Sequence, residues 1–312
     1  MNHVENQPAV RRKRLLLTGA SGMLGHYIQK VFSDFDITTL GRSEGCDVKC
    51  DLTHEEPGLP EAAYDLVVHA AGTQDASGAR ELNAGGTRRL LKALEGKMPA
   101  AFVLVSSAEV YGKETGEDVD ESSPTWPSGE PGSSKLEAER LAEAAFSGTG
   151  TTLTVLRPAT MFGSGMKGWA QEMFTDVMNG KYLHIRGNEA MISIVTAFDV
   201  ARAIREIYPR GGTYNVADGS PVSRLSLAEA MSANAGRHHR MSVLPEKWAR
   251  TLSGPLSLFP GLRRMFGRES IDRSMNSLTF SAARLAEATG LTFHHTVDVI
   301  ARKSEGYPYE EL

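Results

Sequence analysis

The chain has little cysteine and no long apolar run, and each absence excludes a class of protein. Cys46 and Cys50 are the only cysteines in 312 residues, too few for a disulfide framework or a four-ligand zinc site. No stretch has the length and apolar character of a membrane-spanning helix, and no signal-peptide pattern occurs. The composition therefore predicts a cytoplasmic protein without a metal site, a disulfide or a membrane partner.

The chain also has no large excess of charge of either sign, because the net charge is only −4. This balance gives no reason to expect a nucleic-acid surface. The one basic run near the start, residues 11–14, leads into an apolar strand and is interpreted as its solvated entry. A hydrophobic content of 41% and a charged content of 23% are typical of a globular protein.

Apolar runs alternate with helix-like segments in the first half of the chain. Strands are predicted around residues 15–17, 37–40, 64–72, 101–107 and 153–158, and helices around 83–94 and 134–145. Strands that alternate with helices predict an α/β fold with a doubly wound parallel sheet of the Rossmann type. Ligands of such sheets bind at the carboxyl ends of the strands.

The most informative segment is the glycine-rich turn after the first strand. Gly19, Gly22 and Gly25 are three residues apart, between an apolar run and an amphipathic one. Gly19 would let the chain turn, Gly22 would let backbone amides approach a phosphate, and Gly25 would let the helix pack on the strand. The start of the helix would then face a pyrophosphate. A plain strand-to-helix turn is the alternative, but the context predicts a dinucleotide site.

The second half of the chain is less regular. Glycines and aromatic residues interleave from about Ala159, and the prolines within residues 248–268 forbid one continuous helix there. We interpret that segment as part of a lid or substrate-side subdomain, with a membrane-surface segment as the alternative. The sequence thus predicts a dinucleotide-binding core over 14–160. A smaller substrate subdomain would occupy 161–312, with some segments returning to the core.

An ordered set of short motifs resembles one known family. The motifs include Thr-Gly-x-x-Gly-x-x-Gly at 18–25, Ser-Ser-Ala-Glu-Val-Tyr-Gly at 106–112, Leu-Arg-Pro at 156–158 and Phe-Asp-Val-Ala at 198–201. Together they resemble the extended short-chain dehydrogenase/reductases, the NAD-dependent epimerase/dehydratase family that acts largely on nucleotide sugars. The resemblance covers residues 14–303. It implies a small-molecule substrate, NAD or NADP as cofactor, and a homodimer formed through the helix that contains Lys135.

The resemblance also implies a Ser/Thr–Tyr–Lys catalytic centre, and one member is missing. Ser107 matches the hydroxyl residue and Lys135 the lysine, which also binds the cofactor ribose. The tyrosine should lie four residues before the lysine, on the same helix face, but that position is Pro131. Proline starts a helix well and has no ionisable group. Tyr111, Glu109 and Glu130 remain as substitute acids.

Cofactor contacts follow from the fold and from the resemblance. The expected residues are Gly19, Ser21, Gly22, Met23, Leu24, Gly25, Arg42, Asp51, Leu52, Ala70, Ala71, Gly72, Ser106, Lys135 and Pro158. An acidic residue after the second strand would favour NAD, whereas an arginine accommodates the 2′-phosphate of NADP. Gly41 stands at the acidic position and Arg42 follows it. The sequence therefore favours NADP over NAD.

The substrate side departs from the family pattern as well. Relatives often carry a diphosphate-binding arginine seven residues before the Asp of the Phe-Asp-Val-Ala element, and here that position is Ile192. Arg186 and Arg273 are weak substitutes, because an arginine at either position is more often a solvated surface residue. Two functions stay open: an oxidoreductase, epimerase or dehydratase of a nucleotide sugar with a non-standard acid/base, or an inactive dinucleotide-binding regulator or assembly subunit.

Overall fold

A computed structural model describes residues 11–61, 63–234, 241–256 and 268–308. Its strands are β1 (Arg14–Thr18), β2 (Asp36–Gly41), β3 (Val48–Lys49), β4 (Leu66–His69), β5 (Ala101–Val105), β6 (Gly116–Val119), β7 (Thr152–Pro158), β8 (Thr160–Phe162), β9 (Leu183–Arg186), β10 (Met191–Ile192), β11 (Ile194–Thr196), β12 (Gly212–Val216), β13 (Val222–Ser223), β14 (Ser242–Pro245) and β15 (Leu278–Phe280). Its α-helices are α1 (Met23–Val31), α2 (Thr87–Ala93), α3 (Glu130–Phe146), α4 (Trp169–Met178), α5 (Ala197–Ile207), α6 (Arg224–Asn234), α7 (Glu246–Leu256), α8 (Arg268–Met275), α9 (Ala283–Thr289) and α10 (Thr296–Ile300).

The central sheet has seven strands in the order β12-β7-β5-β4-β1-β2-β3. Every neighbouring pair in it is parallel, which confirms the predicted doubly wound parallel sheet. Strands β4 and β5 are buried along their whole length. Such continuous apolar runs are expected where helices cover both faces of a sheet.

Alternate residues of the central strands pack on opposite faces. Leu15 and Leu17 of β1 lie in one core cluster, with α1 and α5. Leu16 lies in the other, with Leu90 of α2 and Ala142 of α3. The period of two in a strand makes this division, and the result is a three-layer α/β/α arrangement.

Element boundaries differ from the sequence-based expectation in informative ways. Within the predicted strand 64–72 only Leu66–His69 pairs, and the residues after it form a loop at the edge of the sheet. Helix α3 begins at Glu130, four residues before the predicted start, because Pro131 fits the first helical turn. The predicted helix 83–94 is preceded by a π-helical turn, Arg80–Gly86, which leads into α2.

The later part of the chain contributes strands to a second sheet and also elements that pack with the central sheet. A four-stranded sheet in the order β13-β10-β15-β6 lies outside the central sheet, whereas β12, α5 and α9 pack in the central layers. Helix α7 occupies the first part of the segment 248–268, and residues 257–267 lie outside the described part of the chain. Among the residues described, no helix combines the length and apolar character needed to cross a membrane.

Candidate active site

The turn after β1 depends on two glycines. Gly19 has a φ of +75°, and a Cβ on it would lie 2.7 Å from the amide nitrogen of Ala71. A Cβ on Gly25 would overlap the carbonyl oxygen of Gly19. Helix α1 therefore packs this closely on the turn only because position 25 lacks a side chain. The amide of Gly22 donates to the Gly19 carbonyl at 3.0 Å and closes the turn.

The start of α1 offers main-chain donors to an anion. No side chain caps the helix at Gly22, and the first amide to reach back is that of His26, which donates to the Gly22 carbonyl. The amides of Met23, Leu24 and Gly25 consequently have no partner within the helix. Such orphan donors at the positive end of a helix bind pyrophosphate. The turn therefore fits a dinucleotide cofactor, and Ser21 is exposed beside it.

A buried hydrogen-bond chain holds the loop after β4 against this turn. The amide of Ala71 donates to Thr18 Oγ1 at 3.1 Å, and Thr18 Oγ1 lies 2.7 Å from His69 Nδ1. His69 Nε2 lies 3.0 Å from Thr87 Oγ1, whose own proton goes to the carbonyl of Asn83. His69 must therefore donate from Nε2 and accept at Nδ1, which is the neutral imidazole. Burial lowers the pKa of His69 to about 3, aided by the charge of Lys135.

The ammonium of Lys135 lies beside the loop that follows Ala70 and Ala71. Lys135 Nζ donates to the carbonyl of Val105 at 2.8 Å, and a Cβ on Gly72 would stand 2.6 Å from Nζ. Burial lowers the pKa of Lys135 to about 8, although two carboxylates oppose the shift. The structure thus brings Lys135 to the carboxyl ends of β4 and β5.

Ser107 and Glu109 follow β5 at the same edge of the sheet. Ser107 Oγ accepts a hydrogen bond from the Glu109 amide at 3.1 Å, so its hydroxyl proton is left for another acceptor. Glu109 is the second residue of a 3₁₀ turn, Ala108–Tyr111, and its side chain keeps contact with solvent. The protein around its inner side raises the pKa of Glu109, and the positive charge of Lys135 opposes that rise. Glu109 and Lys135 are therefore electrostatically coupled, and Ser107 is hydrogen-bonded to the backbone amide of Glu109.

Pro131 stands where the family resemblance leads one to expect tyrosine. It lies in the first turn of α3, where a missing N–H removes no helical hydrogen bond. Glu130, the other carboxyl candidate, has an ion pair with Arg80 at 3.0 Å on the surface. Glu109, by contrast, interacts electrostatically with Lys135, whose charge opposes the rise in the pKa of Glu109.

A buried polar network lies beneath the candidate site. Arg157 donates to both carboxylate oxygens of Glu139, at 3.1 and 2.7 Å. Ser106 Oγ also donates to Glu139, so its hydroxyl is occupied and only its main chain remains for a cofactor. Tyr111 accepts from Arg157 at 3.1 Å and donates to Asn215 at 2.7 Å. Tyr111 is thus fixed in a structural network, which argues against it as the substitute acid.

The residues predicted for the adenosine end lie after β2 and β3. The Arg42 side chain is 74% exposed, and its Nη1 lies 3.8 Å from the carboxylate of Asp51. Leu52 is buried, and a Cβ on Gly86 would lie 3.3 Å from the Leu52 Cβ. Pro158, the last residue of β7, is buried farther along the same sheet edge. These positions agree with a cofactor lying across the carboxyl ends of the strands.

The predicted substrate arginines are not drawn into the site. Arg186 is exposed at the end of β9, and Arg273 has an ion pair with Glu114 at 3.6 Å, both side chains being open to solvent. Ile192, at the expected arginine position, packs in an apolar cluster with Val222 of the neighbouring strand. Their roles in substrate binding stay predictions.

Sequence reasoning missed residues whose importance depends on burial. The one available signal was a polar side chain on an apolar face, as for His69 within β4 and Glu139 on the inner face of α3. Arg224, which begins α6, gave no signal at all. Arginine is ordinarily a surface residue, and its enclosure depends on segments far apart in the chain.

Comparison with known proteins agrees with this geometry. The chain is 27% identical over 186 residues to an N-acetyl-alpha-D-glucosaminyl-diphospho-ditrans,octacis-undecaprenol 4-epimerase of Escherichia coli O157:H7, a match that spans 55% of this chain and 56% of that relative. It is 24% identical to a UDP-glucose 4-epimerase of Vibrio cholerae over 89% of this chain and 90% of that protein.

A solved structure shares the fold at greater length. MoeE5, in complex with UDP-glucose and NAD, superposes with a TM-score of 0.70 at 19% identity, over 93% of this chain and 97% of that one. The model of the NAD dependent epimerase/dehydratase family matches residues 15–217, which include the glycine turn, Ser107, Lys135 and the central sheet as far as β12. The chain therefore belongs to the NAD dependent epimerase/dehydratase family.

Proposed function

We propose that the protein is an NAD(P)-dependent epimerase, or a closely related oxidoreductase, that acts on a sugar carried by a diphosphate. The observation that carries this proposal is the grouping of Ser107, Glu109 and Lys135 at the carboxyl end of β5, beside the loop at Gly72. The family and the diphosphate-linked sugars named for two relatives support the substrate class.

Glu109 would take the part of the missing tyrosine. When bound, the nicotinamide supplies hydride transfer to and from a sugar carbon. The carboxylate of Glu109 would accept the hydroxyl proton from that carbon's oxygen and later return it, while the Ser107 hydroxyl donates a hydrogen bond to the same oxygen. Burial raises the pKa of Glu109, against the opposing charge of Lys135, and a raised pKa makes its carboxylate a stronger base.

Cofactor preference would depend on Arg42. Its exposed guanidinium stands at the adenosine end of the site, and Gly41 offers no acid to a ribose hydroxyl. A guanidinium suits the geometry of a 2′-phosphate, so NADP would bind more tightly than NAD. Arg42→Ala would then weaken NADP binding by about tenfold and leave NAD binding nearly unchanged. Equal effects on the two would contradict the assignment.

The test of function is a turnover assay on matched variants. Purified protein with NAD or NADP is incubated with UDP-glucose, UDP-N-acetylglucosamine and a polyprenyl-diphosphate sugar, and the products are separated chromatographically. Glu109→Gln should lower kcat by about 10²- to 10⁴-fold, the range for loss of a general acid–base group. Glu130→Gln is the control, because it removes the other candidate carboxylate, which lies on the surface and pairs with Arg80.

Each outcome of the assay has a defined meaning. Turnover that survives Glu109→Gln would contradict the proton-transfer role. A protein that binds NAD(P) but converts none of the three sugars would instead be a dinucleotide-binding regulator or an assembly subunit. Formation of a homodimer through α3 stays a prediction, and light scattering on the purified protein would test it.

A further inference from the structure

Arg224 is a partly buried arginine without a counter-charge in the described residues. Its Nε is buried and has no hydrogen-bond partner there, and no carboxylate of the described chain lies within ion-pair distance of it. The backbone carbonyl of Arg224 accepts a hydrogen bond from the Tyr182 hydroxyl at 3.3 Å. Burial lowers the pKa of Arg224 below its ordinary value. An arginine in such surroundings opposes folding, so a binding role would explain its presence.

The indole of Trp169 lies against this arginine. Its guanidinium carbon lies 5.1 Å from the ring centroid of Trp169, a large side chain that remains 36% exposed. Arg224 Nε is therefore a buried polar atom without a hydrogen-bond partner in the described residues, beside a partly exposed indole. Buried polar atoms are rarely left unpaired unless a ligand or water completes them.

The pair of Arg224 and Trp169 adjoins the candidate active site. Trp169 follows Gly168, where a Cβ would lie 3.2 Å from the side-chain oxygen of Gln74. Gln74 lies two residues after Gly72, the glycine that contacts Lys135. The start of α4 is thus next to the loop that borders the reacting groups.

Strand pairing places Arg224 close to Ile192, the position where relatives often carry a diphosphate-binding arginine. Ile192 of β10 pairs with Val222 of β13, and Arg224 begins α6 two residues later. Because Ile192 is enclosed in an apolar cluster with Val222, its own position offers no charge to a ligand. A cation at the end of the neighbouring strand can supply that charge.

We propose that Arg224, with Trp169 as the adjoining wall, binds the diphosphate of the sugar substrate. The inference rests on the proposed function and adds a specificity-determining residue to it. A guanidinium fork binds two phosphate oxygens at once, and a diphosphate supplies the missing counter-charge. The diphosphate could belong to a nucleoside or to a polyprenyl lipid, since both carry the same linkage.

Calorimetric titration of the cofactor-saturated protein distinguishes these sources. The probes are UDP, farnesyl diphosphate and inorganic pyrophosphate at one ionic strength. Tightest binding of UDP assigns the nucleoside, tightest binding of farnesyl diphosphate assigns the lipid, and equal binding assigns the diphosphate alone. In each case Arg224→Met should raise Kd about 10- to 100-fold, and Arg224→Lys should raise it less because the charge remains.

A matched control and a stability measurement distinguish a ligand-binding role of Arg224 from a structural one. Arg210→Met removes an exposed arginine just before β12, at the opposite end of the sheet, and should leave Kd unchanged. Urea unfolding of the free protein should show Arg224→Met to be as stable as the wild type or more stable, because an uncompensated charge has been removed. If Arg224 served only to stabilise the fold through its cation–π contact with Trp169, Arg224→Met should be less stable than the wild type.

Several results would overturn the inference. Unchanged diphosphate binding in Arg224→Met, equal weakening in Arg210→Met, or no binding of any probe by the wild type would each do so. The sugar-conversion assay is read separately. Arg224-dependent UDP binding without sugar conversion would refute the proposed reaction and leave the binding role standing.

Discussion

The neutral state of His69 makes a quantitative prediction about acid stability. In the folded protein the ring donates from Nε2 to Thr87 and accepts at Nδ1 from Thr18, whose oxygen already accepts from Ala71. A second ring proton would face the Thr18 hydroxyl proton, and the residue is only 1% exposed to water. Protonation therefore requires this part of the core to open, in agreement with a pKa lowered to about 3 by burial.

The size of the effect follows from proton linkage. The pKa of His69 is about 3 when folded against an ordinary value of 6.5, so between these values the unfolded chain binds a proton that the folded protein excludes. Stability is thus fully present above the ordinary value and falls as the pH drops below it. About pH 5 is roughly 1.5 units below the ordinary pKa of 6.5. Protonation of the unfolded chain should therefore lower the free energy of unfolding by about 2 kcal/mol at that pH. The figure hardly depends on the folded pKa, provided that it lies well below 5.

Urea unfolding of wild type and His69→Gln at about pH 7.5 and pH 5 measures the effect. The wild type should lose about 2 kcal/mol more than the variant over this interval. The comparison uses the change with pH, so a constant loss of stability in the variant does not affect it. His54→Gln, at an exposed histidine, should retain the wild-type change. If wild type and His69→Gln lose the same free energy, the imidazole is not excluded from protonation and the reasoning fails.

Two other substitutions test the packing of the site. Gly25→Ala would place a methyl group on the Gly19 carbonyl oxygen and should cost about 1–3 kcal/mol or more in urea unfolding; Gly45→Ala, with nothing within 4 Å of the added carbon, should cost almost nothing, and equal losses would contradict the packing argument. Glu139→Gln leaves the buried charge of Arg157 uncompensated and should cost about 3–5 kcal/mol. The double variant Glu139→Leu with Arg157→Leu should lose less free energy of unfolding than Glu139→Gln does. A larger loss in the double variant would show that the two charges do not act as a pair.

The central sheet and the cofactor turn could be predicted because local pattern determines them. Apolar runs of strand length mark β1, β4 and β5, and spacing alone identifies Gly19 and Gly25 as positions where a side chain would collide. The position of Pro131 predicts a helix entry, and Pro131 does lie in the first turn of α3, which begins at Glu130. In each case the decisive interaction is main-chain geometry or a periodic apolar face.

Other features depend on contacts between distant segments and left no local trace. Strands β10 and β13 are two residues long, too short for a period-two pattern. The π-helical turn at Arg80–Gly86 places Asn83 where it accepts from the Thr73 amide at 2.9 Å and donates to Ser134 at 3.0 Å. An extra residue per turn is a tertiary effect, and helical periodicity does not predict it.

This difference also explains why the cofactor half of the site is better determined than the substrate half. Pyrophosphate binding uses amides of the turn at Gly22, which the glycine spacing positions directly. Proton transfer and diphosphate binding use charged side chains, whose usefulness depends on desolvation and on the charges around them. Glu109 and Arg224 acquire these surroundings only when β5 and the start of α6 are in place, so the sequence indicates Glu109 only as one of three candidate acids and gives no signal for Arg224. Their proposed roles are separable for the same reason: one should act on kcat and the other on diphosphate affinity.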